Sequence, residues 1–119
     1  MHRLEESVVR LGAALSAAPT LPQQWRRLVR DRLIEVSAGL SDESAVATDT
    51  WLDARAGHLE RERNRLLAKV AVVLPMVDNG DLDGVRAAGA RLVQDLEHHH
   101  QRVSDLAYDG VAMEVGGSE

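Results

Sequence analysis

Four side chains that could hold a divalent metal ion occur in two pairs with helical spacing. His58 and Glu62 are four residues apart, and so are Asp95 and His99. Residues four apart lie on one face of a helix, and a hairpin that turns near residue 80 brings the two pairs into adjacent layers. Two imidazoles and two carboxylates are a plausible ligand set in the core of a helical bundle. One interpretation of the chain is therefore a divalent-metal-binding helical hairpin.

A second interpretation of this region is a buried polar layer without a metal. Bundle metal sites characteristically place a Glu-x-x-His pair on two helices. Here Glu97 and His100 form one such pair, and the facing helix has no counterpart. In the polar layer Arg63 pairs with Asp95, and His99 forms a hydrogen bond nearby. Such layers fix helix register at some cost in stability, and the spacing favours this interpretation over the metal site.

Three arginines on the polar side of the second predicted helix could contact phosphate groups: Arg26, Arg27 and Arg30. Acidic residues such as Asp31 are interleaved with them, and no aromatic platform or recognition-helix signature accompanies them. The chain carries 14 basic and 19 acidic side chains, a net charge of −5, which disfavours broad binding to nucleic acid. A nucleic-acid-associated regulator that uses this basic face is thus an alternative, and nucleic acid is not the expected partner.

The 119 residues contain no catalytic constellation that we recognise. There is no glycine-rich phosphate loop and no Gly-x-Ser-x-Gly motif. Without cysteine, a thiol nucleophile, a disulfide or a zinc ribbon is excluded. Apolar residues make up 45% of the chain, and aromatic residues make up only 3%. The apolar fraction is too high for an intrinsically disordered protein. We expect a folded helical protein that is not an enzyme and needs no cofactor.

Apolar residues recur at intervals of three and four, which predicts an all-α fold with four helices in a single domain. Pro19 ends the first helix, because the residue before a proline is pushed out of helical geometry. Gly39 suits the left-handed turn that ends the second helix. The predicted elements are helix 1 over 2–18, helix 2 over 20–38, helix 3 over 42–77, helix 4 over 82–109, and a C-terminal arm or tail over 110–119.

The last two predicted helices form a long antiparallel hairpin with a coiled-coil-like seam. Their apolar residues alternate spacings of four and three, with polar interruptions at Arg63 and His99. Small residues at Gly84, Ala88 and Gly89 would let the two backbones approach near the turn. The two shorter N-terminal helices pack on this hairpin but cannot cover all of it. An uncovered apolar stripe is typical of a contact surface, which predicts a homodimer.

The predicted contact surface lies at the open end of the hairpin and in the arm. It consists of Trp51, Leu52, Tyr108, Val111, Met113 and Val115. Aromatic side chains are enriched in binding hot spots, and the last three residues alternate with the period of an extended segment. Two alternatives stay open: the arm is the frayed end of the fourth helix, or the aromatic side chains close the core against Trp25.

The start of the chain argues against a secretory signal peptide. Glu5 and Glu6 lie where positive charge is required, and Arg10 interrupts the apolar run. We therefore expect a small cytoplasmic helical scaffold or adaptor, with no role for a membrane. It would act through protein–protein contacts, with itself as a homodimer and with an unidentified protein partner.

Overall fold

A computed structural model describes residues 3–17, 21–46 and 53–117, and the side chains of residues 4–17, 21–43 and 57–106. They form four α-helices: α1 (Arg3–Ser16), α2 (Pro22–Val46), α3 (Asp53–Asn79) and α4 (Leu82–Gly117). The predicted all-α, four-helix fold is confirmed. Across the described ranges, no helix combines the length and the apolar character that a bilayer span requires.

The four helices run alternately up and down and close into a ring. α1 packs on α2 and α4, α2 packs on α3, and α3 packs on α4. The molecule is 60 Å long and 21 by 19 Å across. We call the end with the α1–α2 and α3–α4 connections the turn end. The opposite end, where α2 ends and α3 begins, is the open end.

The core is built from the apolar stripes that the sequence predicts. Each fully buried Leu or Val side chain contributes about 1.5–3 kcal/mol, so the stripes stabilise the bundle along its length. Of the predicted seam positions with described side chains, Leu82, Val103 and Leu106 are half-buried and the others are buried: Leu59, Arg63, Leu66, Val70, Val73, Val77, Val85, Gly89, Leu92, Leu96 and His99.

The predicted boundary between the second and third helices is wrong. α2 continues to Val46 and α3 begins at Asp53, so residues 42–46 belong to α2. With 25 residues in α2 and 27 in α3, the second helix is nearly as long as the third. The length by which the hairpin extends beyond α2 is therefore smaller than predicted.

Gly39 lies within α2 and does not form a left-handed turn. Because it has no side chain, α1 can pack close to α2 at this position. No glycine in the described part of the chain has positive φ. A Cβ atom on Gly39 would lie 3.1 Å from Leu4 Cα on α1, so a larger residue would push the two helices apart. The buried stripe of Leu33, Val36 and Leu40 runs on through Gly39 with helical spacing. That continuity is the sequence signal for an unbroken helix.

The C-terminal segment is helical rather than extended. α4 reaches Gly117, so the arm predicted from residue 110 is a continuation of the fourth helix. No proline interrupts the segment, and its apolar residues also fit spacings of three and four. The period-two pattern was therefore not decisive.

Gly84 and Gly89 of α4 were predicted to allow a close approach of α3, but their nearest neighbours lie elsewhere. A Cβ atom on Gly89 would lie 2.7 Å from Leu15 Cδ1, so Gly89 makes room for α1 and not for α3. Gly84 lies in the first turn, where its N–H donates to Asp81 Oδ2 at 3.3 Å. Asp81 thereby acts as the N-cap of α4.

Candidate functional site

His99 is the centre of a charged cluster that joins three helices at the open end. Its side chain is 0% exposed. Its Nδ1 lies 2.6 Å from Glu62 Oε1 on α3, and its Nε2 lies 2.6 Å from Glu43 Oε1 on α2. Arg102, one turn further along α4, donates from Nε and Nη2 to the two carboxylate oxygens of Glu62. We call these four residues the His99 clasp.

The geometry of the clasp fits the imidazolium form of His99. Both ring nitrogens face carboxylates, and an ionised carboxylate only accepts hydrogen bonds. A neutral imidazole has one N–H and could satisfy one of the two partners. The imidazolium donates at both nitrogens and places its positive charge between Glu43 and Glu62.

The charges of the clasp shift two pKa values. Burial alone would lower the pKa of His99, but hydrogen bonds to Glu43 and Glu62 and their negative charges raise it above its ordinary value of 6.5. Burial would raise the pKa of Glu62, but hydrogen bonds from Arg102 and His99 and their positive charges hold it below 4.5. His99 therefore keeps its positive charge to a higher pH than an ordinary histidine, and Glu62 keeps its negative charge to a lower pH than an ordinary glutamate. The clasp joins α2, α3 and α4.

The neighbouring histidines of the run have different surroundings. His98 is exposed, whereas His100 Nε2 lies 3.5 Å from Glu5 Oε2 on α1. This second pair is open to solvent, and such pairs contribute little to stability. As expected for consecutive helical residues, one of the three histidines faces the seam.

The structure does not gather the four residues of the predicted metal site. It brings Glu62 and His99 together, but His58 is exposed and Asp95 accepts a hydrogen bond from Lys69 Nζ at 2.9 Å. Glu43 lies on the opposite side of the imidazole from Glu62, so the three cannot converge on one ion. Within the described ranges, no three His, Asp or Glu side chains are placed to hold a metal.

The predicted metal site does not form because the register of the hairpin differs from the predicted one. α3 continues through Pro75 to Asn79, two residues beyond its predicted end. A turn near residue 80, as predicted, would place Leu59 opposite His99. In the structure Glu62 lies opposite His99 instead, and His58 falls outside the layer.

The polar layer differs in its pairing from the predicted one. Arg63 and His99 are buried in the seam, but Arg63 Nη2 lies 3.8 Å from Glu60 of its own helix. The predicted pair of Arg63 with Asp95 is wrong, because Asp95 binds Lys69 instead. Glu43 was missed, although it continues the stripe of α2 three residues after Leu40.

Two of the arginines predicted to contact nucleic acid stabilise the C-terminal end of α3. Arg26 Nη1 donates to the backbone carbonyl of Val77, and Arg30 Nη2 lies 3.0 Å from Asp78 Oδ2. The last carbonyls of a helix lack partners within the helix and carry the negative end of its dipole. Arg27 is exposed. The basic face is thus largely engaged in holding α2 on α3.

A second arginine contact closes the C-terminal end of α1. Arg86 of α4 donates from Nε to the carbonyl of Leu15 at 2.9 Å and from Nη2 to that of Ala17 at 3.1 Å. Its guanidinium lies 5.5 Å from the ring centre of Trp25, a distance suited to a cation–π contact. The buried Trp25 donates from Nε1 to the carbonyl of Ala14 at 3.0 Å. Three helices therefore meet at this cap.

The outer face of the α3–α4 pair carries a groove that is open to solvent. Its apolar part has a volume of about 330 Å³ and includes Val72, which is 64% exposed. Towards the open end it continues into a charged pocket of about 170 Å³. We call the two parts together the α3–α4 groove. Its apolar lining comes mainly from Ala68, Val72, Val73, Met76, Ala88 and Leu92.

The edges of the α3–α4 groove are rich in basic side chains. Lys69 pairs with Asp95, and Arg102 pairs with Glu62. Arg65 and Arg91 are exposed and take part in none of the ion pairs found among the described side chains. The groove therefore combines an apolar floor with positive charge at its edges.

The residues predicted to form the contact surface are outside the described side chains. Trp51 and Leu52 lie outside the described residues altogether. Tyr108, Val111, Met113 and Val115 belong to the helical backbone of α4. The groove itself was missed, although Val72 interrupts the polar face of α3 in the sequence.

The chain was also compared with known proteins. No protein-family model, curated protein or solved structure matches it.

Proposed function

We propose that this chain is a small cytoplasmic helical scaffold or adaptor that acts through protein–protein contacts, and that it forms a homodimer through the α3–α4 groove. The observation that carries the proposal is the groove itself. It is apolar, open to solvent and on the face of the hairpin that α1 and α2 leave uncovered. Contiguous exposed apolar surface of this kind marks interaction sites.

Charge supports a second copy of the chain as the occupant. Residues 103–119 carry four acidic and no basic side chains, whereas Arg65 and Arg91 add positive charge to the edges of the groove. Opposite charges on two surfaces of one chain favour association between copies. Most homo-oligomers are closed dimers with two-fold symmetry.

The polar side chains that join the helices support a binding function rather than a catalytic one. His99, Arg26 and Arg86 make contacts that hold helices together, at both ends of the bundle. The groove, by contrast, is apolar in its larger part, which suits packing against another helix.

The experiment compares two matched valine substitutions that differ in position. Val72 lies in the groove, and Val9 on α1 is similarly exposed, at 66% against 64%. We expect Val72→Glu to convert the dimer to a monomer, because it places a charge in the apolar contact, and Val9→Glu to leave the dimer intact. Sedimentation equilibrium measures the mass, and circular dichroism verifies that both variants stay helical. A monomeric wild-type protein at high concentration, or a dimeric Val72→Glu variant, would contradict the proposal.

A further inference from the structure

α4 extends well past the level at which the His99 clasp joins the helices. From His99 the helix continues to Gly117, a distance of about 27 Å at 1.5 Å per residue. α2 ends at Val46, only three residues after Glu43. We call residues 103–117 of α4 the C-terminal extension.

The C-terminal extension combines acidic and apolar residues. It contains Asp105, Asp109 and Glu114 and no Lys, Arg or His. Its remaining residues are mostly apolar, including Leu106 and Val111. This composition is complementary to the α3–α4 groove, which has an apolar floor and the exposed side chains of Arg65 and Arg91 at its edges.

The lengths of the two surfaces also match. Between Glu62 and Met76 the groove follows α3 for about 21 Å, and the 15 residues of the extension span about 22 Å. Because α4 is continuous to Gly117, the extension points away from the groove of its own chain. A second copy can present its groove to the extension without breaking the helix.

We propose that the C-terminal extension of each copy lies in the α3–α4 groove of the other copy. The two chains would lie antiparallel about a two-fold axis, so that each gives one extension and receives one. The inference rests on the proposed homodimer and names the two surfaces that form it. Acidic residues of the extension pair with Arg65 and Arg91, while its apolar residues cover Val72.

A reciprocal charge swap tests the pairing. One variant reverses the groove with Arg65→Glu and Arg91→Glu, and the other reverses the extension with Asp105→Arg and Asp109→Arg. In either variant alone, both contacts of a dimer bring like charges together, and we expect the dissociation constant to rise at least tenfold. In an equimolar mixture both contacts of the heterodimer become opposite in sign, so we expect dimers to return. Sedimentation velocity of the separate and mixed variants measures this.

The neutral pairs Arg65→Gln with Arg91→Gln and Asp105→Asn with Asp109→Asn are the controls. We expect each to weaken the dimer. Their mixture should recover less than the charge-reversed mixture, because its heterodimer regains one of the two charged contacts and not both. If a charge-reversed variant loses its helical circular dichroism, these neutral variants and the weakening of the wild-type dimer by salt still test the contact.

The outcomes separate the inference from the proposed function. A monomeric wild-type protein overturns both. A dimer that Val72→Glu dissociates, but that neither charge reversal weakens, overturns the inference and leaves the groove as the interface. Variants that weaken the dimer singly, without recovery on mixing, also overturn it, because the two surfaces would then act at separate contacts.

Discussion

The two ends of the bundle are held by different chemistry. At the turn end, Arg26 and Arg86 donate to backbone carbonyls, which are not titratable groups. At the open end, His99 lies between Glu43 and Glu62, whose hydrogen bonds and charges raise its pKa against the effect of burial. The difference shows that one small helical bundle can close its helix ends in a pH-independent way at one end and a pH-dependent way at the other.

The largest effect is expected from removing the aromatic side chain of the turn end. Trp25→Ala should lower the free energy of unfolding by about 4 kcal/mol, because it leaves a cavity where α1, α2 and α4 meet. The loss should be the same at pH 6 and pH 9, since neither the indole of Trp25 nor the carbonyl that it bonds is a titratable group. Urea unfolding followed by circular dichroism measures it.

Trp25→Phe is the matched control for this change. It keeps most of the packing but removes the hydrogen bond from Nε1 to Ala14, for an expected loss of about 1 kcal/mol. Equal losses in the two variants would mean that the hydrogen bond, and not the packing, stabilises the turn end.

A smaller effect that depends on pH is expected at the open end. His99→Leu should lower the free energy of unfolding by about 3 kcal/mol at pH 6, because it leaves Glu43 and Glu62 partly buried without their shared cation. The exposed His98→Leu is the control and should change little. The measurement is urea unfolding of both variants between pH 5 and pH 9.

The directions of the pKa shifts fix the pH profile of the wild-type protein. Folding raises the pKa of His99, so its contribution is complete below 6.5 and is lost as the pH rises through the raised pKa. Folding lowers the pKa of Glu62, so its contribution is present above 4.5 and is lost as the pH falls through the lowered pKa. The clasp therefore stabilises most between these limits. If the free energy of unfolding falls with rising alkaline pH as steeply in His99→Leu as in the wild-type protein, groups other than His99 cause that fall.

The smallest effects are expected from two glycines, one near each end. Gly89→Ala should lower the free energy of unfolding by about 1 kcal/mol, because overpacking against Leu15 exceeds the gain in helix propensity. At Gly57 the nearest atom to a new Cβ is Arg61 Nη1 at 3.7 Å, the far end of a flexible side chain. Gly57→Ala should therefore stabilise by about 0.5–1 kcal/mol. Thermal unfolding measures both, and shifts of the same sign would show that the turn end is not the more tightly packed region.

The sequence predicted the buried faces of the helices better than their ends. Spacings of three and four identified the seam positions from Leu59 to Val77, because burial of a helical face repeats with the helix itself. The spacing of α2 also continued through Leu40 to Glu43, but Gly39 was given more weight as a terminator. A glycine needed for close packing on Leu4 cannot be distinguished by type from one needed for a turn.

The side-chain contacts were less predictable, for two physical reasons. The partners of Arg26 and Arg86 are backbone carbonyls, which leave no mark in the sequence. The partners of His99 depend on the register of the hairpin. α3 ends two residues later than predicted, and Glu62 rather than Leu59 lies opposite His99. A polar residue at a seam position, such as His99, indicated a buried interaction without indicating its partners.

The up-and-down connectivity of the ring also bears on how the chain folds. The packing contacts of α1 with α2, α2 with α3 and α3 with α4 join neighbours in the sequence, whereas α1 packs on α4 from opposite ends of the chain, with Arg86 meeting Leu15 across 71 positions. Contacts between sequence neighbours close short loops and form quickly. The two hairpins can thus assemble independently and dock afterwards, with α1 reaching α4 in the step that completes the core.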